Sequence, residues 1–243
     1  MKFDVITLFP QLINEACSHS IIKRAIDTKI INITTTNPRD FSKDKHKKVD
    51  DTPYGGGAGM LLTPQPFLDA IDSVGLKNSY KKLMLSPQGE RYTQDLAKEL
   101  SQEDQLIIIC GHYEGFDERI KILSGAKEIS VGDFVMTGGE YPALCIIDSV
   151  TRLIEGAIGQ TESFEFDSHY DGLLEYPHYT KPREYNGLKV PDVLLSGNHI
   201  EIAKWRRLQQ FITTKNKRPD LFETFLKTDI SAFDKKLINE YDI

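Results

Sequence analysis

Residues 110–119 read CGHYEGFDER, which crowds His112, Tyr113, Glu114, Asp117, Glu118 and Arg119 around Gly111 and Gly115. Carboxylate and imidazole groups take and give protons, and a guanidinium holds negative charge as it develops. Glycine has no Cβ and leaves its backbone N–H and C=O open to a ligand. A plain connector needs far less polar functionality. A second glycine-punctuated stretch, EISVGDFVMTGGE at 128–140, follows soon after and runs into Gly138 and Gly139. Two ordinary turns would explain one such pair, but two polar loops, each after an apolar run, point to a ligand site.

The elements that must position these loops are legible in the hydrophobic pattern. Residues 106–111 (LIIICG) form a continuous apolar run, as in a strand buried on both faces, and chemistry is expected just beyond the carboxyl end of such a strand. The stretch from 128 is the second such strand. Residues 3–8 (FDVITL) predict a first strand ended by Pro10, helical spacing follows over 12–26, and 30–36 (IINITTT) is a β-branched strand. Further on come a helix over 65–74, a strand over 83–86 and a helix over 93–100. The longest helix spans 141–158, with Pro142 in its first turn, Leu144, Ile147, Val150 and Ile154 on one face, and Arg152 off that face. Strands alternating with helices over 1–158 predict an α/β domain with a largely parallel sheet.

Residues 37–59 form a long polar loop containing KDKHKK and the glycines Gly55, Gly56, Gly57 and Gly59. No Gly-Lys-Ser/Thr follows and the spacing is not G-x-G-x-x-G, so neither nucleotide fingerprint is present. Spacing alone leaves a ligand loop and a flexible hinge both open. Likewise KDKHKK either touches phosphate or is simply solvated.

The chain has 243 residues, more than the roughly 100–200 of one domain, which suggests a catalytic domain with an appendage. No apolar run approaches the roughly 18 residues of a membrane span, and MKFDVITLFP lacks a signal-peptide layout, so a cytoplasmic protein with no membrane partner is expected. Cys17, Cys110 and Cys145 are odd in number and widely spaced in apolar surroundings, as reduced core residues would be. The net charge of −6 is unevenly spread: from Lys181 onward 12 Lys and Arg face 9 Asp and Glu, leaving −9 for residues 1–180. Lys204, Arg206, Arg207, Lys215, Lys217 and Arg218 fall with no acid among them. Such a block is either an electrostatic footprint for nucleic acid or a solvated helix face. Residues 159–175 are polar and aperiodic, like a linker or lid, and 176–191 look like a proline-rich loop. From Ser196 the pattern turns helical, predicting a small all-helical carboxyl-terminal domain over 176–243.

Three stretches, CGHYEGFDER, SVGDFVMTGGE at 130–140 and LSPQG at 85–89, resemble the knot motifs of the bacterial tRNA (guanine-37 N1)-methyltransferases, a family of the SPOUT superfamily. DDTPYGGGAGM at 50–60, TRLIEG at 151–156 and GLLEYPHYTKP at 172–182 extend the resemblance over nearly the whole chain. It implies a deep trefoil knot in the catalytic domain, an exception to the rule against knots. It also implies S-adenosyl-L-methionine as methyl donor, held by Leu85, Ser86, Pro87, Gly111, Val131, Gly132, Phe134, Met136, Gly138, Gly139 and Pro142. Further implications are tRNA as substrate, possible Mg2+ assistance without a dedicated metal site, and a homodimer with active sites shared between subunits.

Guanine N1 is protonated at neutral pH, so its methylation needs a base at N1 and a cation near O6. The resemblance matches the base to Asp167, followed by Ser168, and the cation to Arg152. Tyr113 and Glu114 would receive the target base beside Gly55 and Gly59. His169 departs from the aromatic usual in relatives, and Asp171 lies four residues after Asp167; the register of GLLEYPHYTKP favours Asp167. Two other classes compete: a non-catalytic RNA-binding protein, which would not need both Arg152 and Asp167, and a glycine-loop nucleotide hydrolase, disfavoured by the missing Gly-Lys-Ser/Thr.

Overall fold

Strand β6 (Gln105–Ile109) is buried at every residue because it lies at the centre of a sheet covered on both faces. A computed structural model describes residues 1–158, 167–241 and 243. The sheet has five parallel strands in the order β2-β1-β6-β5-β7, where β1 is Lys2–Ile6, β2 Asn32–Thr36, β5 Tyr80–Arg91 and β7 Lys127–Ser130. Side chains alternate across a strand. Leu106 and Ile108 accordingly join Phe3, Val5, Leu83 and Leu85 in one core, while Ile107 and Ile109 join Ile6 and Met84 in another. The first core is closed by helices α1 (Pro10–Ala16), α2 (Ser20–Asp27), α4 (Gln94–Ser101) and α6 (Glu140–Thr151); the second by α3 (Pro64–Asp72) and α5 (Glu118–Ser124). Each buried Leu or Ile removes roughly 1.5–3 kcal/mol worth of apolar surface from water.

Several elements depart from the sequence expectation for local reasons. The helix expected over 12–26 is two helices, because the chain turns at Ser20, whose φ of +55° lies outside the right-handed helical range although the apolar spacing continues through Ile21. The strand after 128 stops at Ser130, and 131–139 is loop, which meets the segment after β6 through a bridge between His112 and Gly138. The helix expected over 141–158 ends at Thr151, five residues before Gly156, whose φ of +81° no helix accommodates. The long loop after β2 carries a 3-10 turn, Pro38–Phe41, and a short antiparallel pair, β3 (Asp50–Asp51) with β4 (Leu61–Leu62). Strand β5 runs past LSPQG to Arg91, with a register shift between Leu85 and Glu90 that lifts 86–89 out of the ladder.

The chain divides into two compact units, Met1–Thr161 and Glu162–Ile243. In the second, α8 (His199–Lys217) packs with α9 (Pro219–Leu226) and α10 (Ala232–Glu240) after a short α7 (Asp192–Leu195). Its core is Leu173, Phe211, Phe222, Phe225 and Leu237. Leu173 brings part of the expected linker into this core, and the Leu174 N–H donates to Thr214 Oγ1 at 2.9 Å. The expected 159–166 portion lies outside the described residues. The unit is not all helical: β8 (Glu184–Tyr185) and β9 (Leu188–Lys189) form a hairpin. Asn186 and Gly187, at φ +50° and +80°, make its two-residue turn, and Asn-Gly is the composition such a turn demands.

Candidate active site

Where β5 leaves its ladder after Leu85, and past the carboxyl ends of β6 and β7, the segments 85–88, 111–118 and 131–139 enclose a cleft of about 320 Å³. The loops are stitched together by backbone. The Cys110 N–H donates to Ile6 O at 2.9 Å, and the Gly139 N–H donates to Gly111 O at 2.8 Å, which anchors the start of α6 against the end of β6. A Cβ on Gly139 would stand 2.8 Å from both Cys110 Cα and Gly111 N. Glycine is therefore required there for the approach of two backbones, not to leave room for a ligand. Ser130 Oγ donates to Gly132 O at 2.9 Å and fixes the turn out of β7.

The acid-rich loop is built with similar economy. Tyr113 has φ of +59°, a left-handed conformation costly for an aromatic residue, and its ring is 46 % exposed at the cleft. Asp117 caps α5, accepting from the Arg119 N–H at 2.9 Å and from its guanidinium at 2.8 and 2.7 Å. Its hydrogen bonds to the Arg119 side chain hold its carboxyl below the usual carboxylate range. Glu114 is exposed, and its N–H donates to Met60 O at 3.1 Å, so the glycine-rich loop backs directly onto it. A Cβ on Gly59 would fall 2.3 Å from Glu114 Cγ. Beneath the cleft Glu140, 4 % exposed, accepts from Thr7 Oγ1 at 2.7 Å. Among the described residues, His112 Nδ1 is buried and finds no hydrogen-bond partner.

Leu85, Ser86, Pro87, Gly111, Val131, Gly132, Phe134, Met136, Gly138, Gly139 and Pro142 all line this one cleft, together with Tyr113 and Glu114. Gly59 lies behind Glu114, and Gly55 sits further out on the same loop with no atom within 4 Å of a Cβ built on it. Arg152 is not among the lining residues. It caps the far end of α6, ten residues beyond Pro142, or roughly 15 Å along the axis at 1.5 Å per residue. Asp167 and Ser168 belong to the second unit, where Ser168 Oγ accepts from the Glu175 N–H at 3.0 Å and Asp167 O from the Tyr170 N–H at 3.2 Å. The sequence reading missed Ser130, Phe116 and Lys121 in the lining; Lys121, ion-paired to Glu128 at 2.5 Å, becomes visible only once α5 and β7 are packed together.

Two further expectations change. Cys17 and Cys110 are buried, but Cys145 is exposed, because α6 buries Ala143, Ile146 and Ile147 and turns position 145 outward. The basic block on α8 is partly engaged within its own unit. Arg207 bridges Asp171 at 2.5 Å and Asp234 at 2.9 Å, Lys204 pairs with Glu240 and Arg218 with Asp220, while Arg206 lies over the Tyr176 ring. Lys215 and Lys217 remain exposed at the end of the helix.

A parallel α/β sheet whose strand ends carry a cleft of close-packed glycine loops, continued by a separate helical unit, defines a ligand-binding enzyme scaffold. The family model described as tRNA (Guanine-1)-methyltransferase TrmD matches residues 1–224, and the chain belongs to that family. It is 49 % identical over 243 residues to a tRNA (guanine-N(1)-)-methyltransferase of Desulforamulus reducens, covering 99 % of this chain and 94 % of that one. A protein of the same name from Caldicellulosiruptor saccharolyticus is 54 % identical over 221 residues, with 91 % and 90 % covered. One from Clostridium perfringens is 52 % identical over 238 residues, with 98 % and 99 % covered. Among the described residues no helix is long and apolar enough to cross a membrane, and no group of three or more His, Cys, Asp or Glu could hold a metal ion.

Proposed function

We propose that the protein methylates N1 of guanosine 37 of tRNA, next to the anticodon, using S-adenosyl-L-methionine. The observation that carries this reading is the convergence of ten residues from three separate motifs, with Pro142 just beyond the third, on a single cleft. Its lining suits the donor: apolar side chains of Leu85, Phe134 and Met136 share the cleft with the polar groups of Ser86, Tyr113 and Glu114. When bound, the donor supplies an electrophilic methyl group on a sulfonium. In this reading the loops at 85–89 and 131–139 belong to a trefoil knot of the SPOUT type.

The protein's own work is then positioning and proton transfer. Tyr113 and Glu114 receive the guanine, and a carboxylate must take the N1 proton while a guanidinium holds charge on O6. Asp171 is held in an ion pair with Arg207, and the register of GLLEYPHYTKP favours Asp167 as the base. Arg152 lies too far along α6 to serve the cleft that α6 begins. This favours a homodimer in which Arg152 and Asp167 of one subunit act at the cleft of the other. The unit from residue 176 onward would bind tRNA, with Lys215 and Lys217 toward phosphate. Mg2+ takes one or two carboxylates plus substrate oxygens, so any assistance would run through Glu114 and the substrate.

The test is incubation with methyl-labelled S-adenosyl-L-methionine and tRNA transcripts carrying guanosine or adenosine at position 37. Label in N1-methylguanosine, dependent on guanosine 37, is the expected result. Label elsewhere, or none with folded protein that binds the donor, would overturn the assignment.

A further inference from the structure

Tyr54 exposes 99 % of its surface, so the fold gains almost nothing from its ring. Its placement is nevertheless closely specified. The Gly56 N–H donates to Pro53 O at 3.3 Å and Gly55 has φ of +85°, a turn whose third position only glycine or asparagine fills comfortably. The Cβ positions of Gly55 and Gly56 are open, so nothing crowds them; their conformation serves to throw Tyr54 outward. The far end of the loop is pinned where Gly59 and Met60 meet Glu114, and the Leu62 N–H donates to Gly115 O at 2.9 Å. On the facing side stands Arg119, held above its ordinary pKa first by its hydrogen bond to Asp117 and more weakly by the nearby Tyr54 phenol. Thus two exposed aromatic residues, Tyr54 and Tyr113, are mounted on loops joined through Glu114, and Tyr113 and Glu114 line the cleft.

Single exposed aromatics are common on proteins. A ring held off the surface by a fixed turn, on a loop pinned to the one that carries a half-exposed ring in a strained conformation, is a face waiting for a flat partner. Unpaired nucleobases, once out of their stack, are received on such faces. We infer that Tyr54 is a stacking platform for the unpaired nucleobase that flanks the target guanine, holding the loop of the RNA while Tyr113 and Glu114 take the target itself. This rests on the methylation reading above and deepens it: the substrate must present its guanine in a single-stranded loop.

The experiment uses the full chain, tRNA with 2-aminopurine next to the target guanosine, and Tyr54→Ala and Tyr54→Phe. Stacking on one aromatic ring predicts a rise in KM for tRNA of on the order of tenfold in Tyr54→Ala, with Tyr54→Phe close to wild type. Donor affinity and the single-turnover rate at saturating tRNA should stay within about twofold, since the ring touches neither the donor nor the reacting atoms. Quenching of 2-aminopurine on binding should survive in Tyr54→Phe and vanish in Tyr54→Ala. An unchanged KM in Tyr54→Ala overturns the inference, as does equal loss in both variants, which would place the contact on the hydroxyl. Failure of the underlying reading is distinct, because no protein in the series, wild type included, would then form N1-methylguanosine.

Discussion

Asp167 and Asp171 are four residues apart; Asp171 is committed to an ion pair with Arg207, and the register of GLLEYPHYTKP favours Asp167 as the base. Asp167→Asn should therefore leave donor and tRNA binding intact and slow methyl transfer on the order of 10² to 10⁴, the usual worth of a positioned base. Single-turnover kinetics measures this, and a near-normal rate would move the base elsewhere. The thiols provide a second residue-scale check. Cys145 should react with a thiol reagent in the native protein at once, whereas Cys17 and Cys110 should react only on unfolding. Burial pushes the Cys17 thiol up to about 11, so the fold favours its protonated form. Its contribution to stability is complete below the ordinary thiol value of 9.0 and is lost as pH rises through about 11, which alkaline denaturation of Cys17→Ala against wild type would reveal as a narrowed difference.

Helix α6 does two structural jobs at its two ends. Its start is locked to β6 through Gly139, so Gly139→Val would drive a branched side chain into the Cys110 and Gly111 backbone. We expect loss of folding stability along with loss of donor binding, seen as a lowered melting temperature; a variant that melts like wild type but fails to bind would show instead that Gly139 meets the ligand. Its other end carries Arg152 away from the cleft. In the helical unit, Leu173 reaches from the interdomain segment into a phenylalanine-rich core. Leu173→Ala should cost about 2–5 kcal/mol, read from urea melts. A cost near zero would mean that this segment is not part of the unit's core.

At the scale of the whole molecule, the place of Arg152 at the far end of α6 and of Asp167 in the second unit calls for a test of sharing. Met136→Trp should block the donor cleft, and Asp167→Ala should remove the base. Each variant should be inactive alone. Co-expressed, half the dimers should be mixed, each with one complete site of two, so activity should recover to roughly a quarter of wild type if sites act independently. Purified heterodimers as inactive as both parents would show that each subunit supplies its own base. The same logic bears on the basic block: half of it is internally paired, so Lys215→Ala with Lys217→Ala, not Arg207→Ala, should flatten the salt dependence of tRNA binding.

Hydrophobic periodicity determined the alternation of strands and helices and the burial of residues 106–109, because a strand covered on both faces must be apolar throughout. The resemblance to a known family likewise marked eleven residues that line the cleft before any contact was known, while composition alone marked only the glycine-punctuated loops. The strand order, with β6 rather than β1 at the centre, depended on long-range pairing that no local pattern encodes. Helix ends fell one to seven residues from their expected places, because caps and positive-φ glycines override periodicity. The Asn186–Gly187 hairpin was written in two residues and overlooked among prolines. Side-chain commitments were decided only in three dimensions. Arg207 finds its two carboxylates 36 and 27 residues away, and that pairing turns a basic run into a partly structural one. Sequence lists charges in a line, whereas the tertiary structure decides which meet a partner and which stay available to a ligand.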